Sequence, residues 1–316
     1  MNKTLRTLIA TAAAAGLSVS AQAADFVNVL TGGTSGVYYP LGVALSQIYG
    51  KAIAGAKTSV QATKASAENL NLLQAGRGEV AFTLGDALSE AWKGNEEAGF
   101  KQPLKKLRTI AAIYPNYIQI VASADSGIRT LADLKGKRIA VGAPKSGTEL
   151  NARDIFRGAG MTYKDFGKVE YLPFGESVEL MKNRQLDATL ISAGLGVAAL
   201  RDLAVAQKIV IVAIPPEVVA KVGEAAYHSA TIPARTYEGQ SAEVTTVAVQ
   251  NYLVTHEGVA ADTVYTMTRS MFDNLDHLTS AHAAAKAIRR DSAAKQPPAP
   301  LHPGAEKYYR EVGLLK

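Results

Sequence analysis

The stretch TGGTSGVYYPLG, residues 31–42, combines four glycines with the hydroxyl side chains of Thr34 and Ser35. It lies between an apolar run that predicts a strand and a periodic pattern that predicts a helix. A Gly-rich turn at such a junction directs free backbone N–H groups and the positive end of the helix dipole toward one point. The stretch therefore predicts a turn that can hold an anion.

A second turn of the same kind follows a later strand pattern. It has the sequence Ala143-Pro144-Lys145-Ser146-Gly147-Thr148 and precedes another helical pattern. Either turn alone is equally consistent with a purely structural loop. Because the two turns occupy equivalent positions in two α/β units, we favour the interpretation that both close on one carboxylate from opposite sides of a cleft.

Catalytic interpretations of these residues lack the required spacing. TGGTSG does not end in the GK[ST] of a nucleotide-binding loop and lacks the GxGxxG spacing of a dinucleotide site. GAPKSG is not the GxSxG of a nucleophile elbow, and the five histidines form no recognisable metal-ligand pair. We therefore expect no enzyme activity, no metal site and no cofactor.

Two further positions leave alternatives open. Asp86 opens a helical pattern directly after a strand pattern, where an N-cap and a ligand contact are both plausible roles. Tyr38 and Tyr39 are adjacent on a predicted helix and so face different directions. One of the two can pack in the core while the other lines the cleft.

Strand patterns alternate with short helical patterns, which predicts βαβ units and a mainly parallel sheet. Short strands are expected at 26–30, 58–62, 79–84, 137–141, 187–191 and 209–212. Two longer β patterns, at 110–122 and 244–256, are expected to cross between two lobes near Tyr117 and Gln250. The predicted fold class is α/β, with two α/β lobes joined by two crossing β-strands around a ligand cleft.

The N-terminal segment has the organisation of a secretory signal. Lys3 and Arg6 precede an apolar run, which ends near the small-residue site Ala21-Gln22-Ala23. This predicts a signal peptide at 1–23, cleavage after Ala23 and a periplasmic protein. The expected divisions of the remaining chain are lobe one at 24–119, lobe two at 120–246, and a return strand with C-terminal helices at 247–316 that completes lobe one.

Composition narrows the remaining classes of function. The chain has no cysteine, which excludes disulfides and thiolate metal sites. Its formal net charge is +6, but lysine and arginine are scattered among acidic residues without a long basic run. We therefore expect no nucleic-acid partner. No apolar run after the signal is long enough to span a membrane.

Four segments resemble the TAXI family, the extracytoplasmic solute receptors of TRAP transporters. They are TGGTSGVYYPLG (31–42), ATKASAENL (62–70), VGAPKSGTELNAR (141–153) and LHPGAEKYYREVG (301–313), and they occur in the family's order. The resemblance implies a type II periplasmic-binding-protein fold and capture of a small carboxylate such as glutamate, glutamine, pyroglutamate or 2-oxoglutarate. It also implies delivery of this small organic acid to a TRAP membrane permease. We expect the receptor to be a monomer.

The same resemblance implies ligand-binding positions around the cleft at Ser35, Tyr38, Asn69, Asp86, Tyr114, Ser146, Gly147, Thr148 and Ala193. Thr34 of the first turn and Lys145 of the second complete the set of candidate ligand-binding residues.

Two positions depart from the family pattern. Leu84-Gly85 precedes Asp86 where the family usually has Gln-Ser, and Lys145 stands where the second turn usually has glycine. Losing an amide and adding a cation favours a doubly anionic ligand, so dicarboxylates such as 2-oxoglutarate are expected to outcompete glutamine. This expectation requires Lys145 to face the cleft, and a side chain that points into solvent is an equal alternative. A receptor of the same fold for an ABC transporter or a sensor kinase, and a secreted enzyme, are the alternative functions.

The signal pattern generates the first testable prediction. The exported protein is expected to begin at Ala24, because signal peptidase cleaves after an A-x-A site. Intact-mass measurement of the protein from a periplasmic extract checks this. An exported protein that retains Met1 would show that the segment is not a cleaved signal.

Overall fold

The computed structural model describes residues 26–316, so the predicted signal peptide and its cleavage site after Ala23 lie outside the described residues. Within that range the chain forms ten strands and ten α-helices, together with short 3-10 turns. No helix in the described range is long and apolar enough to cross a bilayer.

The strands of the described range are β1 (Phe26–Leu30), β2 (Lys57–Gln61), β3 (Val80–Leu84), β4 (Leu107–Ser123), β5 (Arg138–Ala140), β6 (Lys168–Glu170), β7 (Ala188–Ala193), β8 (Ile209–Val212), β9 (Tyr227–Ile232) and β10 (Val244–His256). Eight of them lie close to the positions expected from the sequence, whereas β6 and β9 were not expected.

Helices alternate with strands from β1 to β9, except between β4 and β5, where two short 3-10 turns connect the strands. The α-helices are α1 (Tyr38–Ala52), α2 (Ser66–Gln74), α3 (Gly85–Lys93), α4 (Gly147–Gly158), α5 (Phe174–Lys182), α6 (Ala198–Ala206), α7 (Pro216–Val222), α8 (Ala261–Asp273), α9 (Leu275–Ala281) and α10 (Pro303–Glu311).

All ten strands of the described range belong to one sheet. Its main path runs β2-β1-β3-β10-β4-β7-β5-β6, with β8 also pairing with β4 and β9 with β10. The strands β1, β2 and β3 are mutually parallel, as are β5, β6 and β7. β4 and β10 are antiparallel to each other and separate the two parallel groups.

The two long strands change partners near their middle. Along 107–117 β4 pairs with β10, and along 117–122 it pairs with β7. β10 pairs with β9 up to Val249 and with β3 from Asn251. We call β1–β3 with α1–α3 and α8–α10 lobe one, and β5–β9 with α4–α7 lobe two. This arrangement confirms the predicted α/β fold class with two crossing strands.

Helices cover both faces of the sheet because side chains alternate along each strand. Val27 and Val29 of β1 enter the core under α1, whereas Leu30 enters the core under α2 and α3. In α1, the buried Leu41, Leu45 and Ile48 lie on one helical face. Burial of apolar side chains on both faces therefore stabilises the sheet, and the ends of its strands determine where each helix begins.

The start of α2 is fixed by a tertiary contact. Serine is a favoured N-cap residue, but Ser66 is the first helical residue and Ala65 is the N-cap. The hydroxyl oxygen of Ser66 accepts a hydrogen bond from the backbone N–H of Leu84 at 3.1 Å. This tertiary hydrogen bond between α2 and the end of β3 replaces the local cap.

The close approach of α10 to α8 generates a stability prediction. A Cβ atom added at Gly304 would overlap the carbonyl oxygen of Ala261 and lie 2.7 Å from the backbone nitrogen of Tyr265. Gly304→Ala is therefore expected to destabilise the protein by about 1–3 kcal/mol, although alanine is the better helix former. Urea unfolding measures this change.

Gly50→Ala is the matched control, because Gly50 also lies in a helix but its added Cβ would lie no closer than 3.3 Å to a neighbouring atom. It should be neutral or stabilising by up to about 1 kcal/mol. Equal effects of the two substitutions would contradict the tight α8–α10 contact.

Candidate functional site

A cavity of about 120 Å³ lies between the two lobes at the carboxyl ends of the parallel strands. Residues within 32–38, 63–66 and 143–148 form its wall together with Pro173 and Phe174. Leu84, Tyr114, Asn116 and the pair Ser192–Ala193 form its floor. One water-sized group needs roughly 10–15 Å³ of such space, so the cavity has room for a small molecule.

The wall consists of the starting turns of four helices, α1, α2, α4 and α5. Three of these helices have no side-chain cap at their N-cap residues Val37, Ala65 and Pro173. The positive ends of four helices therefore converge on one cavity, which favours an anion there.

The fourth helix, α4, is capped by its own serine. The hydroxyl oxygen of Ser146 accepts a hydrogen bond from the backbone N–H of Glu149 at 3.1 Å. The N–H groups of Gly147 and Thr148 belong to the first turn, so they have no acceptor within the helix. Both residues line the cavity, where these N–H groups can donate to a ligand.

Side-chain charge in the cavity is sparse. Among the described residues that line it there is no aspartate or glutamate, and Lys64 is the one basic residue. Lys64 is exposed, so its ammonium group lies at the solvent side of the wall. The electrostatic character of the cavity thus comes mainly from backbone dipoles.

The floor is held by a chain of amide hydrogen bonds across the crossing strands. Tyr38 Oη donates to Asn251 Oδ1 at 2.5 Å, and Asn251 Nδ2 donates to Asn116 Oδ1 at 2.7 Å. Asn116 Nδ2 then donates to the carbonyl oxygen of Ser192 at 2.9 Å. This chain links α1 of lobe one to β7 of lobe two through β10 and β4.

Two hydroxyl groups at the floor are buried without a partner. They are Tyr114 Oη and Ser192 Oγ, on side chains that are 0% and 4% exposed. Burial also raises the pKa of Tyr114 well above its usual value, so its hydroxyl keeps its proton. A buried hydroxyl without a partner is costly, and both groups belong to residues that line the cavity.

Comparison with known protein families matches residues 29–313 to the NMT1-like family. The chain belongs to this family. The match covers both lobes and all the segments that form the cavity.

Three solved structures show the same fold as this NMT1-like protein. The alkanesulfonate-binding protein SsuA from Xanthomonas axonopodis pv. citri, bound to MOPS, has 16% identity and a TM-score of 0.50, with 91% of this chain and 85% of that chain covered. A putative L-cystine ABC transporter from Listeria monocytogenes has 14% identity and a TM-score of 0.51, with 84% and 98% covered. A binding protein component of an ABC phosphonate transporter from Pseudomonas aeruginosa has 11% identity and a TM-score of 0.51, with 84% and 80% covered. At these identities the similarity establishes the fold.

Six of the eleven predicted site residues line the cavity of this NMT1-like protein. They are Tyr38, Tyr114, Ser146, Gly147, Thr148 and Ala193. The ring of Tyr38 stacks on Phe82 with centroids 5.0 Å apart, which fixes its position in the wall. The two predicted turns therefore do face each other across one cavity.

Four other predicted residues lie around the cavity without lining it. Thr34 is exposed, and the carbonyl oxygen of Ser35 accepts a hydrogen bond from Ala199 N of lobe two at 3.3 Å. Asn69 is fully buried, and its amide donates to the carbonyl oxygens of Thr31 and Phe82. Asn69 thus supports the first turn from behind. Asp86 lies in a separate contact between the lobes.

Lys145 also lies outside the cavity. Its side chain is exposed and lies beside Gly99, at 3.9 Å from the position of an added Cβ at that glycine. Its backbone φ of 59° is in the left-handed region that favours glycine. This explains the glycine usual at this position of the family pattern, and it removes the reason for expecting a second ligand carboxylate near Lys145.

Sequence reasoning missed several residues of the cavity. Ser192 and Asn116 are adjacent to positions that were identified, but their polar side chains lie in strands, where the sequence does not indicate which face is free. Phe174 begins α5 after Pro173, a helix-start signal that was available. Lys64 lies in the ATKASAENL segment, from which only Asn69 was selected.

A second contact between the lobes involves two carboxyl groups and one phenol. Asp86 Oδ2 of α3 accepts hydrogen bonds from Asn151 Nδ2 at 2.6 Å and from Tyr227 Oη at 2.8 Å. Tyr227 Oη also lies 2.9 Å from Asp154 Oδ2. A phenol has one hydrogen, so it cannot donate to both carboxylates. All contacts are satisfied when Asp154 or Asp86 carries a proton.

Burial raises the pKa of both carboxyl groups in this contact. Desolvation raises the pKa of Asp86 to about 6, although the hydrogen bond from Tyr227 opposes the change. Desolvation also raises the pKa of Asp154, against the hydrogen bond from Tyr227 and the positive charge of Arg157. Glu90 and Glu224 add negative charge nearby.

The direction of these shifts predicts how stability depends on pH. Because the folded-state pKa of Asp86 lies above its unfolded value of 3.8, the folded protein binds this proton more tightly. Stability from this group is present below the unfolded pKa and falls as the pH rises to about 6, by at most about 1.4 kcal/mol per pH unit. Asp154→Asn should reduce this loss, because the amide can donate to Tyr227 and removes one charge.

Urea unfolding from pH 4 to pH 7.5, roughly spanning the free and folded carboxyl pKa values, measures the effect. Asp262→Asn is the control, because the Asp262 side chain is 92% exposed. If Asp154→Asn and Asp262→Asn change the pH dependence equally, the shared-proton contact does not exist.

Proposed function

We propose that this protein is an extracytoplasmic solute receptor, which captures a small organic anion between its lobes and delivers it to a membrane transporter. The observation that carries the proposal is the convergence of four helix N-termini on a cavity without a lining carboxylate. Two of the proteins with the same fold are named for binding sulfonates or for phosphonate transport, both of which concern anions. They support an anionic ligand by analogy of fold.

The proposed role is binding without chemical turnover. The cavity offers hydroxyl and N–H donors, and its described lining contains no histidine or carboxylate that could serve as a general base. Incubation of candidate organic acids with pure protein, followed by mass spectrometry, tests this. Recovery of a chemically altered acid would favour a secreted enzyme.

The identity of the transporter has two candidates. The four sequence segments that resemble TAXI receptors favour a TRAP permease. The fold neighbours named as ABC transporter components favour an ABC system. The neighbouring genes discriminate between them, since a large polytopic permease gene supports the TRAP assignment and an ATPase gene supports the ABC assignment.

Ligand capture is proposed to depend on closure of the lobes, because they touch beside the cavity. A Cβ added at Gly147 of lobe two would lie 2.5 Å from Ser66 Oγ and 2.7 Å from Leu84 Cδ1 of lobe one. A ligand that contacts both lobes binds only the closed form and shifts the population toward it. The closed form is then the shape that a transporter recognises.

Gly147→Ala should therefore weaken ligand binding by obstructing closure. An overpacking cost of about 1–3 kcal/mol corresponds to a loss of roughly 5- to 150-fold in affinity. Small-angle scattering should show that ligand reduces the radius of gyration of the wild type but not of the variant at the same ligand concentration. Calorimetry gives the affinities.

Val205→Ala is the control for an alanine in a helix of lobe two, since Val205 of α6 is 78% exposed. It should retain both ligand affinity and compaction. A Gly147→Ala variant that binds and compacts like the wild type would contradict closure at this contact.

A further inference from the structure

We propose that the cavity selects organic acids that carry no ammonium group, namely oxo, hydroxy or unsubstituted acids, and rejects the corresponding amino acids. This inference rests on the proposed function and names the ligand class of the same site. It follows from an imbalance between hydrogen-bond donors and acceptors around the cavity.

All of the available groups can donate a hydrogen bond, and the backbone N–H groups can only donate. The N–H groups of Gly147 and Thr148 lie at the start of α4, and the hydroxyls of Tyr114 and Ser192 are buried without a partner. Both hydroxyl side chains are more than nine-tenths buried. A carboxylate is an acceptor only, so it can satisfy all of these donors.

Three backbone acceptors at the floor each already accept a hydrogen bond from a side-chain amide. The carbonyl oxygen of Tyr114 accepts from Asn251 Nδ2 at 2.8 Å, and that of Ser192 accepts from Asn116 Nδ2 at 2.9 Å. The carbonyl oxygen of Ala193 accepts from Gln119 Nε2 at 3.2 Å. An ammonium ion would therefore have to share these carbonyl oxygens with side-chain amides that already donate to them.

The described lining of the cavity also provides no charged acceptor for an ammonium group. The described residues that line the cavity include no carboxylate, and Asp86 already binds Asn151 and Tyr227 in the other contact between the lobes. An ammonium group in the cavity would lose its hydration without gaining equivalent partners. The positive helix ends would repel it as well.

The rest of the cavity suits the carbon skeleton of such an acid. Val37 and Leu84 are buried apolar side chains of the wall and floor, and Phe174 adds an aromatic ring. The exposed Lys64 is the group that a second carboxylate would reach. The proposal therefore covers both monocarboxylates and dicarboxylates.

Pairs of acids that differ only at the amino position test the selection. α-Ketoisocaproate against leucine and 2-oxoglutarate against glutamate each keep the carbon skeleton and exchange the ammonium group for an oxo group. Calorimetry on the intact mature protein should give at least about tenfold tighter binding for the oxo acid in any pair that binds. The two pairs also separate one-carboxylate from two-carboxylate ligands.

Variants that each lack one hydroxyl group test whether the residues of the cavity bind the oxo acid. Tyr114→Phe and Ser192→Ala should each weaken binding of the oxo acid by about tenfold, because each removes one hydrogen bond to a charged group. Neither variant should lose stability, because the hydroxyl that is removed has no partner in the protein. Tyr49→Phe is the matched control, since Tyr49 Oη is equally buried and unpartnered but does not line the cavity.

The outcomes separate the ligand class from the receptor function. If an amino acid binds as tightly as its oxo partner and Tyr114→Phe weakens both, the selection is wrong and the receptor function stands. If Tyr114→Phe and Tyr49→Phe have equal effects on affinity, the cavity does not bind the acid. If no acid binds at millimolar concentration and native mass spectrometry of periplasmic protein finds no captured small molecule, both proposals fail.

Discussion

The antiparallel pairing of β4 with β10 is the constraint on which the rest of the structure depends. These strands run through both lobes, and each exchanges one set of partners for another near its middle. The exchange joins the two groups of parallel strands in one sheet, with the carboxyl ends of both groups facing the same gap. In a parallel sheet each helix begins just beyond the carboxyl end of its strand, so the same pairing directs several helix N-termini toward that gap.

The topology of the sheet and helices alone therefore creates an electrostatic field that favours an anion, whichever side chains line the cavity. The turns before α1, α2, α4 and α5 supply N–H groups and helix dipoles, whereas the side chains determine which anion fits. This division explains why the lining can be largely apolar and still attract a charged ligand. It also explains why proteins with this fold and very different sequences can bind different ligands.

Much of the fold could be predicted from the sequence, because it depends on local periodicity. The apolar patterns gave β8 and β10 at their observed bounds, and the Gly-rich turn at 31–37 was identified from residue types alone. Side-chain direction could not be obtained in this way. Asn69 and Lys145 lie in segments that were correctly expected to border the cavity. However, the Asn69 side chain supports the first turn from behind, and the Lys145 side chain lies beside Gly99. Ser192 was missed because its importance comes from the absence of a partner, which only the packed structure reveals.

The side-chain amides at the centre of the molecule contribute both to the connection between the lobes and to the selection of the ligand. Asn251 and Asn116 hold the crossing strands, α1 and β7 in one hydrogen-bonded chain, so their orientations are fixed from both sides. Fixing them in this way also commits their N–H groups to the carbonyl oxygens of Tyr114 and Ser192. The hydroxyls of those same two residues, which line the cavity, remain without a partner. The interaction that links the lobes thus uses part of the acceptor capacity at the binding site, so ligand selection and lobe connection share one set of residues.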